Sequence, residues 1–331
     1  MLNVLVTGAA GFVGSHTIET LLANGHRVTG VDNLRTGRKR NLRSVSNYPG
    51  WQFYEQDILD AESFHRVGRK TAPEVILHLA ALVSVQQSML DPELNFELDV
   101  RATHIVTEAA HLVSVRRLVF ASSAAVYGEA RALPLDETSP TEPLSPYGAA
   151  KLAGEVLVLG AGKTYGFESV CLRYFNIYGA RQRVDSRYGG VVGRILTRLQ
   201  HSKAPVIFGD GRQTRDFIHV KDVARANALA IGSTLRRNGV CNICTGRGTS
   251  VNELVENLRR MYGSPPAPAF ESPRPGEIRY SEGDPARARE WYDFAPRITL
   301  AEGLAERARE FGALQQAEAR ELRHPVEGRA G

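Results

Sequence analysis

Cysteine is scarce in this chain, with three residues among 331. Three thiols cannot form a disulfide framework, so we expect the protein to work in a reducing compartment, the cytoplasm. No apolar run approaches the ~18 residues of a membrane span, and no membrane association is expected. The apolar run that starts at Val4 is broken at Gly8, which is too short for the core of a signal peptide.

Metal-binding and nucleic-acid-binding patterns are also missing. Cys241 and Cys244 have CxxC spacing, but only Cys171 is left to join them, so a four-thiolate zinc site is excluded and we expect core residues. The nine histidines show no metal-ligand spacing, and no metal is expected. The net charge of +5 lies in no basic stripe with interleaved aromatic residues, so no nucleic acid partner is expected.

The first half of the chain alternates short β-branched runs with longer segments of helical period. Residues 75–77 and 118–120 are continuous apolar runs, which are typical of strands buried on both faces. This alternation predicts an α/β fold with a Rossmann-type doubly wound parallel sheet. The predicted strands are 3–7, 27–31, 51–56, 75–80, 117–122 and 169–174, and the main helices are 12–24, 96–112 and 146–164.

The rhythm of the sequence changes after Tyr178, where glycine and proline become denser. We therefore predict a Rossmann domain over residues 1–175 and a smaller mixed α/β domain over residues 176–311. The segment 217–243 is expected to return and pack on the first domain. Residues 312–331 are poor in large apolar side chains and are expected to be a frayed helix or a tail.

Three glycines connect the first predicted strand to the first predicted helix. Gly8 allows a tight turn, Gly11 lets a pyrophosphate approach the backbone, and Gly14 lets the helix pack closely on the sheet. Asp32 ends the second strand, where a carboxylate can accept both ribose hydroxyls of adenosine. The pattern predicts a dinucleotide site, and Asp32 favours NAD because it repels a 2′-phosphate. The basic residues of the loop 35–43 are interpreted as solvated surface; a 2′-phosphate clamp is the alternative.

A tyrosine and a lysine begin the helix predicted over residues 146–164. Tyr147 and Lys151 are four residues apart, so their side chains share one helix face. A phenol with a pKa of ~10 is a poor base at neutral pH, but a neighbouring ammonium favours the phenolate. We therefore expect Lys151 to lower the pKa of Tyr147. Because this pair follows a dinucleotide-binding pattern, it predicts acid–base catalysis.

Short segments spread along the chain carry a resemblance to a known family. The sequence resembles the extended short-chain dehydrogenase/reductases and, within them, the NAD-dependent nucleotide-sugar epimerases and dehydratases, above all the UDP-hexose 4-epimerases. The resemblance covers residues from about 2 to 310. The segments are TGAAGFVG at 7–14, DN at 32–33, DI at 57–58, HLAA at 78–81, SSAAVYG at 122–128 and YGAAK at 147–151.

The resemblance implies a role for individual residues. Tyr147 would be the acid/base at the C4 hydroxyl of the sugar, Lys151 its partner and a ribose ligand, and Ser123 a hydrogen-bond donor to the substrate. The implied NAD-binding residues are Gly8, Gly11, Phe12, Val13, Gly14, Asp32, Asn33, Asp57, Ile58, Leu79, Ala80, Ala81, Lys151 and Tyr174. The implied substrate-binding residues are Ser84, Ser123, Tyr147, Asn176, Phe208 (at the uracil ring), Arg215 and Arg274 (at the diphosphate) and Ser281.

The implied reaction is the 4-epimerisation of a UDP-sugar through a transient 4-keto sugar. Dehydratases of the group resemble one another in an Asp-Glu pair after the fifth strand, and decarboxylases tend to keep a Glu there. This chain has Ala124 and Ala125, which do no acid–base work. The alternatives are a 4,6-dehydratase or decarboxylase, and a non-catalytic NAD-binding sensor or nucleic-acid-binding module. The intact Ser123, Tyr147 and Lys151 argue against a non-catalytic protein.

Two further positions bear on the substrate and on the catalytic pair. Ser281 falls where the group places the wall of the sugar pocket. A serine leaves room there for an N-acetyl group, so we hypothesise that UDP-glucose and UDP-N-acetylglucosamine are both accepted. Asp99 stands where the family usually has Asn, although a carboxylate can still meet the Lys151 ammonium. The helices 96–112 and 146–164 resemble the pair that joins two subunits, which implies a homodimer.

Overall fold

The structure is a computed structural model that describes residues 1–183, 190–263, 266–273 and 278–323. Its strands are β1 (Asn3–Thr7), β2 (Arg27–Asp32), β3 (Trp51–Glu55), β4 (Val75–His78), β5 (Arg117–Ser123), β6 (Glu168–Tyr174), β7 (Asn176–Tyr178), β8 (Val206–Phe208), β9 (Thr214–His219), β10 (Gly239–Ile243), β11 (Gly248–Ser250) and β12 (Ala269–Glu271). Its α-helices are α1 (Phe12–Ala23), α2 (Ala61–Thr71), α3 (Val85–Leu90), α4 (Pro92–Asn95), α5 (Ala102–Leu112), α6 (Pro146–Tyr165), α7 (Val191–Gln200), α8 (Val220–Gly232), α9 (Val251–Arg260), α10 (Ala286–Tyr292) and α11 (Leu300–Arg323). Two 3-10 helices (Lys39–Val45 and Ala124–Val126) and a π-helix (Phe96–Arg101) complete the set.

Seven parallel strands form the central sheet in the order β10-β6-β5-β4-β1-β2-β3. The chain adds strands outward from β1 in one direction and then from β4 in the other, which is the doubly wound topology. The order reverses between β1 and β4, and ligands of such sheets bind at the carboxyl ends of the strands beside this point. The predicted fold class is confirmed.

The central sheet is covered on both faces, which explains the continuous apolar runs of its strands. Val4 and Val6 on β1 belong to a core with residues of α1 and α8. Leu5 points the other way, into a core that contains Phe64 of α2 and Val106 of α5. All three β1 side chains are fully buried. Successive side chains of β1 therefore point to opposite faces of the sheet, but all of them are apolar. A parallel sheet between two helix layers requires this pattern.

Most predicted strands and helices end within one residue of the observed ones, and two elements differ more. Strand β4 ends at His78 rather than residue 80, because the next two backbone N–H groups donate to the hydroxyl of Thr7 (3.1 and 3.2 Å) instead of continuing the ladder. The predicted helix 96–112 begins as the π-helix Phe96–Arg101. The last helix continues to Arg323, into the segment 312–331 that was expected to be a frayed helix or a tail.

The smaller sheets lie in the second half of the chain. Strands β11, β9 and β7 form a mixed sheet, and β12 pairs with β8 in parallel. Leu196 of α7 and Leu254 of α9 share a third core with these strands. Strand β10 joins the central sheet beside β6, and α8 packs against α1. In the described ranges, no helix has the length and hydropathy of a membrane span.

Candidate active site

A cavity of about 1120 Å³ opens at the carboxyl ends of the central strands and extends toward β9 and α7. A smaller cavity of about 80 Å³ adjoins it at Gly8 and Asp32. Of the predicted residues, the large cavity is lined by Gly8, Gly11, Phe12, Val13, Gly14, Asp32, Leu79, Ala80, Ala81, Ser84, Ser123, Tyr147, Lys151, Tyr174, Asn176, Arg215 and Ser281. The small one adds Asn33, Asp57 and Ile58.

Among the described residues, one predicted substrate residue, Phe208, is not brought into this arrangement. Phe208 ends β8 and lines neither of the two cavities. Arg274 lies outside the described residues. The remaining predicted residues come from nine separate stretches of chain yet face the same two connected spaces. The sequence motifs therefore converge on one site.

The glycine-rich turn has the geometry that its sequence predicted. Gly8 has a φ of +67°, and a Cβ there would lie 2.9 Å from the backbone nitrogen of Ala80. A Cβ at Gly14 would lie 2.1 Å from the carbonyl oxygen of Gly8, so only glycine lets α1 approach this turn. Helix α1 starts at Phe12 after Gly11, which offers no side-chain acceptor to the first N–H groups. Those N–H groups face the cavity and suit an anion.

Asp32 is held beside the glycine-rich turn by backbone hydrogen bonds. Its carboxylate accepts from the N–H groups of Ala10 (2.9 Å) and Leu34 (2.7 Å). Burial raises the pKa of Asp32, and the two backbone N–H groups oppose that rise. Beside it, the Asn33 amide donates to Asp57 at 2.9 Å, which joins the ends of β2 and β3. The carboxylate that the sequence predicts to favour NAD is thus held in place by backbone N–H groups.

The basic residues of the loop behind Asp32 are exposed, in agreement with their interpretation as solvated surface, and some of them also border the cavity. Arg38, Arg40 and Arg43 line the large cavity. The loop is drawn over the glycine-rich turn because the Arg38 N–H (3.0 Å) and the Asn41 amide (2.8 Å) both donate to the carbonyl of Ala10. The loop borders the cavity because of these two hydrogen bonds, which the composition of the loop does not reveal.

The tyrosine and the lysine sit on one face of α6, as their spacing predicted. Ser145 caps the helix by accepting from the N–H of Gly148 at 3.1 Å, and the N–H of Tyr147 donates to Ser88 of α3 at 3.1 Å. The Lys151 ammonium lies 5.8 Å from the centre of the Tyr147 ring. Ser123, at the end of β5, lies beside the Tyr147 side chain and lowers its pKa. These contacts fix the three side chains at the floor of the cavity.

The pKa of Tyr147 is shifted in the direction opposite to the one expected. Burial raises it above the ordinary value, the charge of Asp99 raises it further, and the neighbouring Ser123 lowers it. The expectation considered only an ammonium beside a phenol. It omitted desolvation of the phenolate, and it omitted a carboxylate that reaches the same lysine: Asp99 lies 3.9 Å from the Lys151 ammonium. The prediction that this carboxylate still meets the ammonium is confirmed.

Strand β5 is followed by two alanines that border the large cavity. Ala124 and Ala125 begin the 3-10 helix Ala124–Val126 and line the large cavity. The Ala125 N–H donates to the Ser123 hydroxyl at 3.2 Å, which orients that serine. No side chain at 124 or 125 can donate or accept a proton there. Across the described ranges, no cluster of three metal-binding side chains is found.

Sequence reasoning missed several cavity residues that come from the second half of the chain. Arg194 of α7 and Arg307 of α11 line the large cavity, as do Arg181 and Gln182 after β7. Arg307 is only 2% exposed, although it lies on a helix rich in charge. No local signal distinguishes this arginine from a surface residue, because its burial depends on the packing of α11 near α7.

A glycine-rich βαβ unit and a buried Tyr–Lys pair on one cavity define an α/β enzyme of the short-chain dehydrogenase/reductase type. The chain belongs to the NAD dependent epimerase/dehydratase family, whose sequence profile matches residues 4–244. It is 40% identical over 305 residues to a UDP-glucose 4-epimerase of Mycolicibacterium smegmatis, covering 92% of this chain and 96% of the relative. The predicted family is confirmed.

Solved structures give the same result over nearly the whole chain. A UDP-glucose 4-epimerase of Thermotoga maritima, solved with UDP-glucose, is 37% identical, with a TM-score of 0.90 over 95% of this chain and 100% of that one. A UDP-N-acetylglucosamine 4-epimerase of Methanobrevibacter ruminantium, in complex with UDP-N-acetylmuramic acid, is 34% identical, with a TM-score of 0.89 over 95% of this chain and 99% of that one.

Proposed function

We propose that this protein is an NAD-dependent UDP-sugar 4-epimerase that interconverts UDP-glucose and UDP-galactose. The observation that carries the proposal is the meeting of Ser123, Tyr147 and Lys151 at the floor of a cavity whose other end is the glycine-rich turn. The relatives reported above act on UDP-sugars, which supports the substrate class. The protein is an isomerase by this proposal, since nothing is added to the substrate or removed from it.

The residues at the glycine-rich turn fit NAD. A Cβ at Gly11 would lie 3.0 Å from the Gly8 carbonyl oxygen, so the tight turn suits glycine there, and the first N–H groups of α1 would hold the pyrophosphate. Asp32 would accept the adenosine ribose hydroxyls, with Asn33, Asp57 and Ile58 at the adenine. When bound there, NAD would supply a reversible hydride acceptor for C4 of the sugar, which would make a transient 4-keto sugar possible.

The chain's own residues handle the proton. The Tyr147 oxygen takes the proton of the C4 hydroxyl as the keto sugar forms and gives it back when the hydroxyl is restored. Ser123 lines the same cavity as Tyr147, so its hydroxyl would donate to the sugar oxygen. Lys151 contributes a positive charge beneath the pair and a ligand for a ribose hydroxyl. A positioned acid–base group of this kind contributes about 10²–10⁴-fold to the rate.

The far end of the cavity would bind the UDP part of the substrate. Arg215 and Asn176 line it, and a guanidinium matches the oxygens of a diphosphate. We propose Ser84 as a further contact of the sugar, and Phe208 and Arg274 as contacts of the uracil ring and the diphosphate on the resemblance alone. The chemistry of residues 1–175 and the substrate contacts of residues 176–311 would thus divide between two domains.

The sugar range follows from Ser281, which is buried in the cavity wall. Its small side chain leaves space that a large aromatic residue would fill, so we propose that N-acetylated UDP-sugars are accepted as well. The Methanobrevibacter relative named above, a UDP-N-acetylglucosamine 4-epimerase, supports this extension. A dehydratase or decarboxylase is disfavoured because Ala124 and Ala125 can supply no second acid or base.

We also propose a homodimer that works in the cytoplasm. The helices of the predicted subunit contact expose large apolar side chains: Phe96 is 55%, Leu112 is 52% and Val156 is 67% exposed. Such side chains on adjacent helices are better covered by a second subunit than by water. The three free cysteines suit a reducing compartment.

Incubation with NAD and UDP-glucose, followed by NMR of the nucleotide sugars, tests the proposal. We expect UDP-galactose to form with no loss of water or CO2. The Tyr147→Phe variant removes only the phenol oxygen and should lose about 10²-fold or more in kcat while it still binds UDP. A variant with full activity, or a dehydrated or decarboxylated product from the wild type, would refute the proposed function.

A further inference from the structure

Asp99 occupies a buried position directly beneath the catalytic pair. It lies on the π-helix Phe96–Arg101, and such segments occur frequently at functional sites. Its side chain is fully buried, and one carboxylate oxygen accepts from the N–H of Leu82 at 2.9 Å. The same oxygen lies 3.9 Å from the Lys151 ammonium, whose side chain is only 4% exposed. Asp99 and Lys151 are therefore opposite charges that share one desolvated space.

A directed chain of hydrogen bonds holds Asp99 in place. The Thr103 hydroxyl donates to the carbonyl of Asp99 at 2.5 Å, so its oxygen accepts from Nε2 of His78 at 3.2 Å. The other ring nitrogen of His78 then accepts from the Thr7 hydroxyl at 2.8 Å. Burial lowers the pKa of His78 to about 3, so the ring is neutral at working pH. The chain links β1 and β4 to the backbone that carries the carboxylate.

The other groups around the pair add no competing charge. Helix α6 brings Tyr147 and Lys151, β5 brings the Ser123 hydroxyl, and β4 brings neutral His78. Glu155, further along α6, is bound to Arg173 and the Ser122 hydroxyl. The second carboxylate oxygen of Asp99 is buried with no hydrogen-bond partner. Among the described residues named here, the charge of Lys151 is thus balanced by the charge of Asp99.

We propose that Asp99 is a positioning residue whose buried carboxylate balances the ammonium of Lys151 and so sets the charge that the Tyr147 phenol experiences. Asp99 stabilises the ammonium that the mechanism uses, and at the same time it repels the phenolate. With Asp99 present, the buried lysine stays charged, and a smaller fraction of Tyr147 is phenolate at a given pH. Removal of the charge should reverse both effects in a measurable way.

The direction of these effects follows from the surroundings of each group. Burial raises the pKa of Asp99 to about 6, which leaves it ionised at neutral and alkaline pH. Burial lowers the pKa of Lys151 and Asp99 opposes that change. Asp99 raises the pKa of Tyr147. A neutral side chain of the same shape is therefore expected to lower the pH at which Tyr147 ionises.

The Asp99→Asn variant tests the inference because asparagine keeps an acceptor for the Leu82 N–H and removes only the charge. Tyrosine labelled with ¹³C at the phenol carbon reports ionisation by NMR, and Tyr147→Phe identifies the resonance. We expect Tyr147 in Asp99→Asn to ionise about one pH unit lower than in the wild type, a roughly tenfold change in phenolate at a given pH. A titration that is unchanged, or that moves to higher pH, would overturn the inference.

Activity gives a second readout, which rests on the proposed function. In a plot of kcat against pH, the acidic limb should move to lower pH in Asp99→Asn by the same amount as the Tyr147 titration. Asp99→Glu keeps the charge and should leave the limb in place, which separates charge from shape if either variant folds less well. Asp60→Asn is the matched control, because Asp60 is an exposed helix cap that binds the N–H of Ser63.

The two readouts separate the two claims. If the wild type inverts no UDP-sugar, the proposed function fails, and the NMR titration still decides the role of Asp99. If epimerisation is observed but the kcat limbs of Asp99→Asn and the wild type coincide, the inference fails and the function stands.

Discussion

The buried ion pair between Glu155 and Arg173 should be a main determinant of stability in the helix that carries the catalytic pair. Glu155 on α6 and Arg173 on β6 are 3% and 4% exposed. Two parallel hydrogen bonds of 2.8 Å join the guanidinium to the carboxylate, and the Ser122 hydroxyl donates to the same carboxylate at 2.5 Å. The pair therefore ties α6 to β5 and β6 directly behind Ser123.

The magnitude follows from desolvation. Glu155→Leu leaves the arginine charge buried without a partner, and Arg173→Met does the same to the carboxylate, so each should lower the free energy of unfolding by about 3–5 kcal/mol. The double variant leaves no buried charge at positions 155 and 173. It should recover most of this loss and fall within about 2 kcal/mol of the wild type, the remainder being the unpaired Ser122 hydroxyl.

Urea unfolding at one fixed protein concentration measures these differences, since the stability of the proposed dimer would depend on concentration. The surface pair of Glu62 and Arg66 on α2 is the matched control, with side chains 84% and 65% exposed and an N–O distance of 3.0 Å. Its removal should change stability by less than about 1 kcal/mol. The reasoning is refuted if the single substitutions at Glu155 and Arg173 cost no more than those of the control, or if the double variant loses the sum of both.

Two further substitutions test the cofactor turn and the sugar pocket. Gly14→Ala places a Cβ 2.1 Å from the Gly8 carbonyl, so the turn must shift and NAD affinity, measured by calorimetry, should fall about tenfold or more; Gly160→Ala, whose Cβ meets nothing within 4 Å, should leave affinity unchanged. Ser281→Tyr should reduce kcat/KM for UDP-N-acetylglucosamine far more than for UDP-glucose, because the added ring fills the space of the N-acetyl group. Refusal of the N-acetyl sugar by the wild type, or an equal loss for both sugars, would contradict that role of Ser281.

The parts of the site that depend on local geometry can be predicted from the sequence. The requirement for glycine at 8 and 14 and the shared face of Tyr147 and Lys151 follow from a strand-turn-helix pattern and from helical spacing. Long apolar runs likewise predict strands between two helix layers. These features are readable because neighbouring residues enforce them whatever the rest of the chain does.

Other features depend on contacts between distant segments. The direction of the Tyr147 pKa shift needs the depth of burial and the position of Asp99, and neither follows from the i, i+4 spacing. Arg307 lines the cavity only because α11 packs near α7. The π-helix Phe96–Arg101 also has no periodicity that separates it from an α-helix in the sequence. In each case tertiary packing decides the outcome.

Solvent deuterium offers the most direct test of the central claim, that hydride leaves and returns to C4 while Tyr147 moves only the hydroxyl proton. UDP-glucose is converted in D2O with NAD present, and the product is examined by proton NMR. We expect UDP-galactose with an undiminished proton signal at C4, since the hydride never exchanges with water. Deuterium at C4 of the product, or inversion that proceeds equally well in the Tyr147→Phe variant, would contradict the account.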